Sequence, residues 1–337
     1  MTIAGNSIRE WHSVDNKVFN EEIHAAGQPA VLRGLVSAWP ATRAGLDSPA
    51  SLTQYMAKFD SQQPVEVIIG PQAIQGQFFY DEADLRKVNF VRKSSPLSVV
   101  LEQLSNAQNA PAHSIAVQSL PILSFLPGFE LDNTIPLSAV RGAPRMWIGN
   151  EVVVRTHLDY YDNVACVIGG KRRVTLFPPE QIANLYIGPI DNTPAGAPVS
   201  MVSPEYPDLD RYPLFAKALA ASQTAELGPG DAIYIPYAWW HHVQSLEPFN
   251  VLVNYWWNDS PYPTNAPFIC LMHALTALRT LPPRQRRVWH TFFDHYIFQE
   301  AKSAVEHLNP DQRGILGDMT PEIARQIRVY LSRILQQ

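Results

Sequence analysis

The sequence contains few cysteines and few charged side chains. Its two cysteines, Cys166 and Cys270, fit neither a CxxC zinc pattern nor a disulfide framework, which favours a reducing compartment. Charged residues make up only 17% of the chain, and no block is rich in lysine and arginine. Together with a net charge of −5, this gives no support for a nucleic-acid partner.

Long apolar runs and the pattern of a secretory leader are also missing. The most apolar window, near residues 268–278, is too short and too interrupted to span a membrane. Residues 1–6 lack the basic segment and apolar core of a signal peptide. We therefore expect a cytoplasmic protein without a membrane segment.

Proline and apolar residues are abundant. The 29 prolines and the hydrophobic content of 46% favour many short strands and fixed loops around a sizeable core. Early in the chain, several segments have the residue patterns of strands and helices. The predicted strands are 30–36, 65–69, 77–80 and 113–118, and the predicted helices are 51–59 and 96–104.

Between about 144 and 257, one predicted strand follows another. Residues 163–168 and 172–177 flank a Gly169-Gly170 pair and are predicted to form a hairpin. A tight turn at 227–231 leads toward a strand that ends in two histidines. Many short β segments with tight turns indicate a sandwich or barrel.

The remainder of the chain, 265–337, has helical spacing of its apolar residues. The segment 268–278 is apolar all round, which is typical of a buried helix, and Thr320 is placed to cap a last amphipathic helix. We divide the chain into 1–264, with its core at 144–257, and this helical region. The helices are predicted either to pack on the β-rich part or to form a homodimer interface.

The strongest chemical pattern is His157-x-Asp159 in a β-branched run, with His241 and His242 on a later predicted strand. On a strand, residues i and i+2 share a face, so His157 and Asp159 are predicted to point the same way. One of the two later histidines completes the set. Two imidazoles and one carboxylate around a metal with open positions are typical of non-haem Fe(II) oxygenases.

Several motifs in this order resemble the cupin-like JmjC oxygenase family, which includes the asparaginyl hydroxylase that inhibits the hypoxia-inducible factor. They are His157-x-Asp159, Gly-Lys-Arg-Arg-Val-Thr-Leu-Phe-Pro-Pro at 170–179, Gly-Pro-Gly-Asp at 228–231, Ile-Pro-x-x-Trp-Trp-His-His at 235–242 and Asn-Tyr-Trp-Trp at 254–257. The resemblance covers about 145–257.

The resemblance implies a mainly β fold with flanking helices, built on a double-stranded β-helix or jelly roll. It also implies Fe(II) as the metal, 2-oxoglutarate as co-substrate, and hydroxylation, or demethylation by hydroxylation. The family pattern makes His241 the third ligand beside His157 and Asp159, with His242 as a neighbour. Alternation along a strand agrees that only one of two adjacent histidines faces the metal.

The resemblance also identifies candidate co-substrate residues. The family has a lysine fifteen residues after the first histidine ligand, and this chain has Arg172, which can grip a carboxylate bidentately. Asn163 and Asn254 match positions that line the co-substrate pocket. Thr156 is a further candidate, with Tyr160, because the threonine and tyrosine that hold 2-oxoglutarate in the relative are replaced here.

In this chain Val154 stands in place of the family's threonine, and Ala116 in place of its tyrosine.

Five aromatic residues are candidates for shaping the cavity, with core packing as the equally weighted alternative: Trp147, Tyr160, Tyr161, Trp239 and Trp256. For Lys171 and Arg173, which are predicted to face away from Arg172, solvated charges are the favoured interpretation.

The substrate is the least determined feature. The Pro- and Tyr-rich segment 186–213 is expected to cover the mouth of the site, and a protein side chain is preferred over a small molecule. Two alternatives stay open: a metal-dependent cupin isomerase or lyase acting on a small molecule, and a non-catalytic cupin that binds a metal and a ligand.

Overall fold

The computed structural model describes residues 5–81, 83–106, 113–194, 196–260, 266–299 and 304–335. The chain divides into two compact units, Met1–Pro261 and Tyr262–Gln337. The first is mainly β with flanking helices, and the second is helical.

The strands of the described chain all belong to the first unit. They are β1 Asn6–Ser7, β2 Arg9–His12, β3 Ala30–Arg33, β4 Pro64–Pro71, β5 Val91–Pro96, β6 His113–Pro121, β7 Pro144–Gly149, β8 Val153–His157, β9 Asp162–Gly169, β10 Arg172–Phe177, β11 Gln223–Leu227, β12 Ala232–Ile235, β13 Trp240–Ser245 and β14 Asn250–Trp257.

The α-helices are short in the first unit and longer in the second. They are α1 Asn16–Val18, α2 Pro40–Asp47, α3 Pro49–Ala57, α4 Leu97–Ser105, α5 Ile122–Phe125, α6 Phe129–Asp132, α7 Phe215–Ala221, α8 Ala266–Leu278, α9 Pro283–Phe293 and α10 Pro321–Leu335. Single turns of 3₁₀-helix lie at Gln72–Ile74, Pro179–Ala183, Pro310–Gln312 and Gly314–Leu316, and π-helical turns at Phe19–His24 and Asp294–Phe298.

The strands form two sheets. The smaller sheet has the order β1-β11-β10-β13-β8, and the larger one β2-β3-β12-β9-β14-β7-β6-β4-β5. From β7 to β14, most consecutive strands fall in different sheets, so the chain winds back and forth between two layers. This is the jelly roll of the cupin type, and the predicted fold class is confirmed.

Alternating apolar residues fill the space between the two layers. Val167 on β9 and Ile233 on β12 meet Val174 and Leu176 of β10 in this core, and all four are fully or almost fully buried. The outer face of the larger sheet is covered by α2, α3 and α4 in a second and larger core. Helix α3 starts where the Ser48 Oγ accepts a hydrogen bond from the Ser51 N–H at 3.1 Å.

Two local predictions are wrong. Strands β9 and β10 do not pair as a hairpin, because β9 lies in the larger sheet and β10 in the smaller one. Gly170, with φ of +70°, therefore turns the chain from one layer to the other. Residues 77–80 form only isolated bridges, with Gln77 beside Val153 and Tyr80 opposite Val88, because the segment runs along a sheet edge.

The second unit contains helix α8 where the sequence predicts one. The expected burial of α8 is not seen within this chain, since Ile269 and Leu271 are 58% and 50% exposed. Helix α10 begins as predicted, with the Ile323 N–H donating to the Thr320 Oγ at 3.2 Å. Among the described residues, no helix combines the length and apolarity needed to cross a membrane.

Candidate metal centre

Three side chains converge at one end of the barrel. His157 is the last residue of β8 and lies directly opposite His241 on β13. Asp159 follows β8 by two residues, and its Oδ2 lies 3.4 Å from the His241 Nε2. One ligand atom of each residue falls within 4.8 Å of the others, so the three can hold one metal ion.

Each imidazole is oriented by the backbone carbonyl two residues before it. The His157 Nδ1 lies 2.8 Å from the carbonyl oxygen of Arg155, and the His241 Nδ1 lies 3.0 Å from that of Trp239. A neutral ring that donates its Nδ1–H to a carbonyl carries its free lone pair on Nε2, where a metal can bind. Both rings are thus fixed as Nε2 ligands.

Burial and mutual charge keep these groups in the protonation states that bind metal. Burial, together with the nearby His241, lowers the pKa of His157 to about 4. Burial alone would raise the pKa of Asp159, but the hydrogen bond and charge of His241 outweigh it, so that pKa is lowered. At neutral pH the site offers a neutral His157 and an ionised Asp159.

His242 points to the opposite side of β13 from His241. Its Nε2 lies 2.6 Å from the Glu205 Oε1, and its Nδ1 lies 3.5 Å from the Thr156 Oγ1. Burial would raise the pKa of Glu205, but the hydrogen bond from His242 and one from Ser203 lower it to about 2. His242 therefore anchors a buried carboxylate and contributes nothing to the metal set.

A bulge in β8 sets which side chains face the barrel interior. His241 pairs with His157, and Val243 pairs with Val154. These two pairs are two residues apart on β13 but three residues apart on β8. The extra residue on β8 turns Val154 and His157 to the same face. Thr156 is left on the side of His242, away from the metal set.

Behind the metal set lies a small cavity of about 60 Å³, here called the inner chamber. Its walls are mostly apolar, and its polar groups besides the metal set are a guanidinium and two amides. The lining comprises Trp147, Val154, His157, Asp159, Asn163, Ala165, Arg172, Val174, Ile233, Ile235, His241, Val243, Leu252, Asn254 and Trp256.

Arg172 is the cation of the inner chamber. Its side chain is 4% exposed, its one hydrogen bond within the described chain is a 3.4 Å contact to the Trp147 carbonyl, and its Nε has no partner. Burial lowers its pKa to about 10, and no carboxylate offsets that effect. A desolvated guanidinium without a counter-charge is costly, so an anionic ligand fits this position.

The two amides and the Trp147 indole are joined by two hydrogen bonds in series. The Trp147 Nε1–H donates to the Asn254 Oδ1 at 2.8 Å, and the Asn254 Nδ2 donates to the Asn163 Oδ1 at 3.2 Å. Because each oxygen is already an acceptor, Asn163 is left with its NH₂ group as a donor to the chamber.

A second cavity of about 420 Å³, the outer chamber, lies on the other side of the metal set. It shares Trp147, Val154, His157, Asp159 and Trp256 with the inner chamber. Its remaining walls are Glu66, Phe78, Phe90, Arg92, Gln118, Ser119, Val153, Arg155, Thr193, Pro194, Gly196, Ala197 and Val199. Five described residues of the Pro-rich excursion 186–213, which was expected at the mouth of the site, line this chamber: Thr193, Pro194, Gly196, Ala197 and Val199.

The structure brings most of the predicted site residues together. Arg172, Asn163 and Asn254 line the inner chamber beside His157, Asp159 and His241, whereas Thr156 and Tyr160 line neither chamber. Ala116 is buried in a separate cluster around Ile68.

Among the predicted aromatics, only two reach the cavities. Trp147 and Trp256 line both, Tyr161 stacks on Trp256 with ring centroids 5.7 Å apart, and Trp239 is buried between the sheets. Of the charged pair beside Arg172, Lys171 is exposed and near Glu247, and Arg173 pairs with Glu226.

Sequence reasoning missed Arg155. Its side chain is 8% exposed and lines the outer chamber, where its Nη1 donates to the Gln77 Oε1 at 2.7 Å. An arginine directly after the β-branched run Val152 to Val154 was the available signal, since a charge in a buried strand needs a partner.

A jelly roll with a His-Asp-His set at the mouth of its barrel defines a cupin-type fold with a candidate metal centre. Comparison with known families agrees: the Cupin-like domain model matches residues 15–262. The chain belongs to that family.

Curated relatives are JmjC-type proteins. The bifunctional peptidase and (3S)-lysyl hydroxylase JMJD7 of Homo sapiens is 27% identical over 281 residues, 74% of this chain and 83% of that protein. The lysine-specific demethylase JMJ31 of Arabidopsis thaliana is 40% identical over 112 residues, and the tRNA wybutosine-synthesizing protein 5 of Mus musculus is 39% identical over 106.

These last two matches cover 33% and 32% of this chain, and the chain spans only 20% and 30% of those two proteins. The predicted resemblance to cupin-like JmjC proteins is confirmed, and the chain is related to hydroxylases and demethylases.

Proposed function

We propose that this protein is an Fe(II)- and 2-oxoglutarate-dependent oxygenase that hydroxylates, or demethylates by hydroxylation, a side chain of a protein substrate. The observation that carries the proposal is the pairing of a His-Asp-His set with a buried, uncompensated Arg172 in one small chamber. A dicarboxylate that chelates a metal at one end needs a cation for its other end.

The residues fit the cofactor set. His157, Asp159 and His241 would hold the metal through two Nε2 atoms and a carboxylate, which leaves coordination positions open. Arg172 would pair with the distal carboxylate of 2-oxoglutarate, and Asn163 would donate from its NH₂ group. When bound, Fe(II) and 2-oxoglutarate supply the oxidising chemistry, with dioxygen as oxidant and succinate and CO₂ as by-products.

In this proposal the protein itself positions the reactants and keeps water away from the metal set. Trp147 and Trp256 form walls common to both chambers, so they shield the metal set from the bulk solvent. The outer chamber then holds the substrate beside His157 and Asp159. A volume of about 420 Å³ suits one side chain and its flanking backbone.

Two further features belong to the proposal. The protein acts in the cytoplasm, consistent with its unpaired Cys166 and Cys270. It forms a homodimer through its C-terminal helices, where apolar side chains of α8 and α9 are exposed in the single chain.

The proposal is tested by anaerobic titration of the Fe(II)-loaded protein with 2-oxoglutarate. We expect the weak visible charge-transfer band of the chelate, loss of the metal in His241→Ala, and loss of the band with the metal retained in Arg172→Ala. A protein that binds metal but forms no band contradicts the proposal and favours a cupin isomerase, lyase or non-catalytic ligand-binding protein.

A further inference from the structure

The outer chamber carries an excess of positive charge that the proposed reaction does not use. Apart from the metal ligands, its charged side chains are Glu66, Arg92 and Arg155. Glu66 is engaged, since its Oε1 accepts a hydrogen bond from the Arg92 Nη1 at 2.6 Å. Arg155 is therefore the cation of this chamber that no carboxylate of the chamber balances.

Arg155 is held by neutral groups. Its Nη1 donates to the Gln77 Oε1, its Nη2 donates to the Met201 carbonyl at 3.2 Å, and its Nε has no hydrogen-bond partner among the residues that the structure describes. The Phe79 ring lies under the guanidinium, with 4.2 Å between Cζ and the ring centroid. These contacts fix the plane of the guanidinium without supplying a counter-charge.

The carboxylate that acts on Arg155 through its charge is that of Glu205. The Glu205 oxygens are bonded to His242 and to the Ser203 hydroxyl. The Arg155 guanidinium is also largely removed from solvent, since the residue is 8% exposed. A carboxylate in the chamber would relieve this desolvated charge.

The remaining polar groups of the chamber can donate to an anion or to an amide. Ser119 lies in the lining and accepts from the Arg145 Nε at 2.5 Å, which leaves its hydroxyl hydrogen available. Gln118 and Thr193 lie in the same lining. A lysine ammonium has no acceptor of comparable strength, because Glu66 is already engaged.

We infer that the primary substrate presents a carboxylate to Arg155 in the outer chamber, so that its class is an acidic side chain or a small organic acid and not a lysine. The inference rests on the proposed function for the position of the reaction. Such a substrate differs from the lysine for which two of the relatives are named, since an unbalanced cation suits a carboxylate and not an ammonium group.

Binding can be measured without turnover, because Trp147 and Trp256 line the chamber and report on its occupancy by fluorescence. The full-length protein is loaded with Mn(II) and saturating 2-oxoglutarate without oxygen, so that the inner chamber is filled. It is then titrated with three peptides that differ only in a central Asp, Asn or Lys. Free L-aspartate and L-glutamate are titrated in parallel.

We expect the Asp peptide or a free acid to bind at least tenfold tighter than the Lys peptide. Binding of the peptide identifies a protein side chain as the carboxylate source, and binding of the free acid alone identifies a small acid. Arg155→Gln is expected to abolish the preference, Arg155→Lys to retain part of it, and the exposed Arg173→Gln, outside the chamber, to change nothing.

Equal binding of the acidic and Lys ligands by the wild-type protein, no detectable binding of any acidic ligand, or an unchanged preference in Arg155→Gln overturns the inference. Failure of the proposed function gives a different signature, namely no charge-transfer band with Fe(II) and 2-oxoglutarate. If that band is absent, the titrations are repeated with Mn(II) alone and judged by the same criteria. Thermal melts show whether Arg155→Gln is folded, and Arg155→Lys provides the second test.

Discussion

Arg172 and Glu205 are both buried ionised side chains, but they differ in what balances their charge. Glu205 accepts hydrogen bonds from His242 and Ser203, whereas Arg172 is, among the described residues, within reach of one carbonyl and of no carboxylate. Removing one partner of a buried pair destabilises the fold, whereas removing a buried charge without a partner relieves a desolvation cost. The two residues therefore predict opposite responses to neutralisation.

Arg172→Met is expected to leave the cofactor-free protein equally stable or more stable by about 1 kcal/mol, because it replaces a desolvated cation by an apolar chain of similar length. The same change should abolish the 2-oxoglutarate chelate band. Urea denaturation and the anaerobic titration measure the two effects. A clear loss of stability without loss of the band would mean that Arg172 is a structural residue.

Glu205→Gln is expected to lower the free energy of unfolding by about 2 kcal/mol at pH 7. The pKa of Glu205 is lowered from 4.5 to about 2 in the fold, so its contribution is present above pH 4.5 and lost as the pH falls toward 2. The difference between wild type and variant should therefore shrink between pH 4.5 and 2. Urea denaturation across this range measures it.

The control for Glu205→Gln is Glu226→Gln, which removes an exposed ion pair with Arg173. It should change stability by about 0.5 kcal/mol or less. If the difference in unfolding free energy between the wild-type protein and Glu205→Gln did not change with pH, the role assigned to the Glu205 carboxylate would be wrong.

Part of the site could be predicted from residue types, because a histidine and an aspartate two positions apart and a later histidine pair are local patterns. The choice of His241 and the roles of Arg172, Asn163 and Asn254 came from the resemblance to the JmjC family. The roles of Arg155 and Glu205 were not predictable in the same way. Their partners Gln77 and His242 lie 78 and 37 residues away in the chain, and no local pattern encodes such distances.

At the scale of elements, the turn at Gly170 decides the topology. Its φ is +70°, and a Cβ there would lie 2.4 Å from both the Asn250 Oδ1 and the Phe249 carbonyl oxygen. The sequence pattern of two strands around Gly-Gly is the same for a hairpin and for a crossover between layers. Only the pairing of β10 with β11 and β13 distinguishes them.

Gly170→Ala is expected to destabilise the protein by about 1–3 kcal/mol, because it combines a strained φ with a steric clash. Gly228→Ala serves as the control, since nothing lies within 4 Å of the Cβ it would add. Thermal or urea denaturation of the two variants measures the difference. Equal stabilities would show that the crossover can relax at no cost.

The bulge in β8 explains why Val154 shares a face of the strand with His157. Strict alternation would put residues three apart on opposite faces, but the extra residue between Val154 and His157 resets the alternation. Bulges depend on the pairing partner as much as on the strand itself. Single-sequence patterns therefore cannot locate them.

At the scale of the whole molecule, the two units differ in how completely they bury their apolar residues. The jelly roll has two large cores, whereas in the second unit Trp289, Phe292 and Ile297 are 43%, 48% and 58% exposed. A cavity of about 630 Å³ between α8 and α9 is lined mostly by apolar side chains. Such a surface favours association with another chain.

We expect the full-length protein to elute as a dimer of about twice its 37.8 kDa chain mass in size-exclusion chromatography with light scattering. Trp289→Glu should shift it to the monomer, because the charge would be buried in the interface. The exposed Gln285→Glu on the same helix is the control and should leave the dimer intact. A wild-type mass of a single chain would contradict the prediction.

The short apolar strands and tight turns predicted a sandwich or barrel, and the resemblance to the JmjC family narrowed this prediction to a jelly roll. The sequence could not predict what covers the apolar helix α8. A helix that is apolar on all sides has the same pattern whether residues of its own chain or of another chain cover it.

The orientation of the two histidine ligands has a consequence for how this protein can change over evolutionary time. Both rings are oriented by carbonyl groups of the main chain, two residues earlier in the sequence. No substitution deletes a carbonyl, so mutations in the surroundings leave the orientation of the two histidines intact. Sequence variation is therefore expected mainly in the walls of the two chambers, where it can change the substrate without disturbing the candidate metal centre.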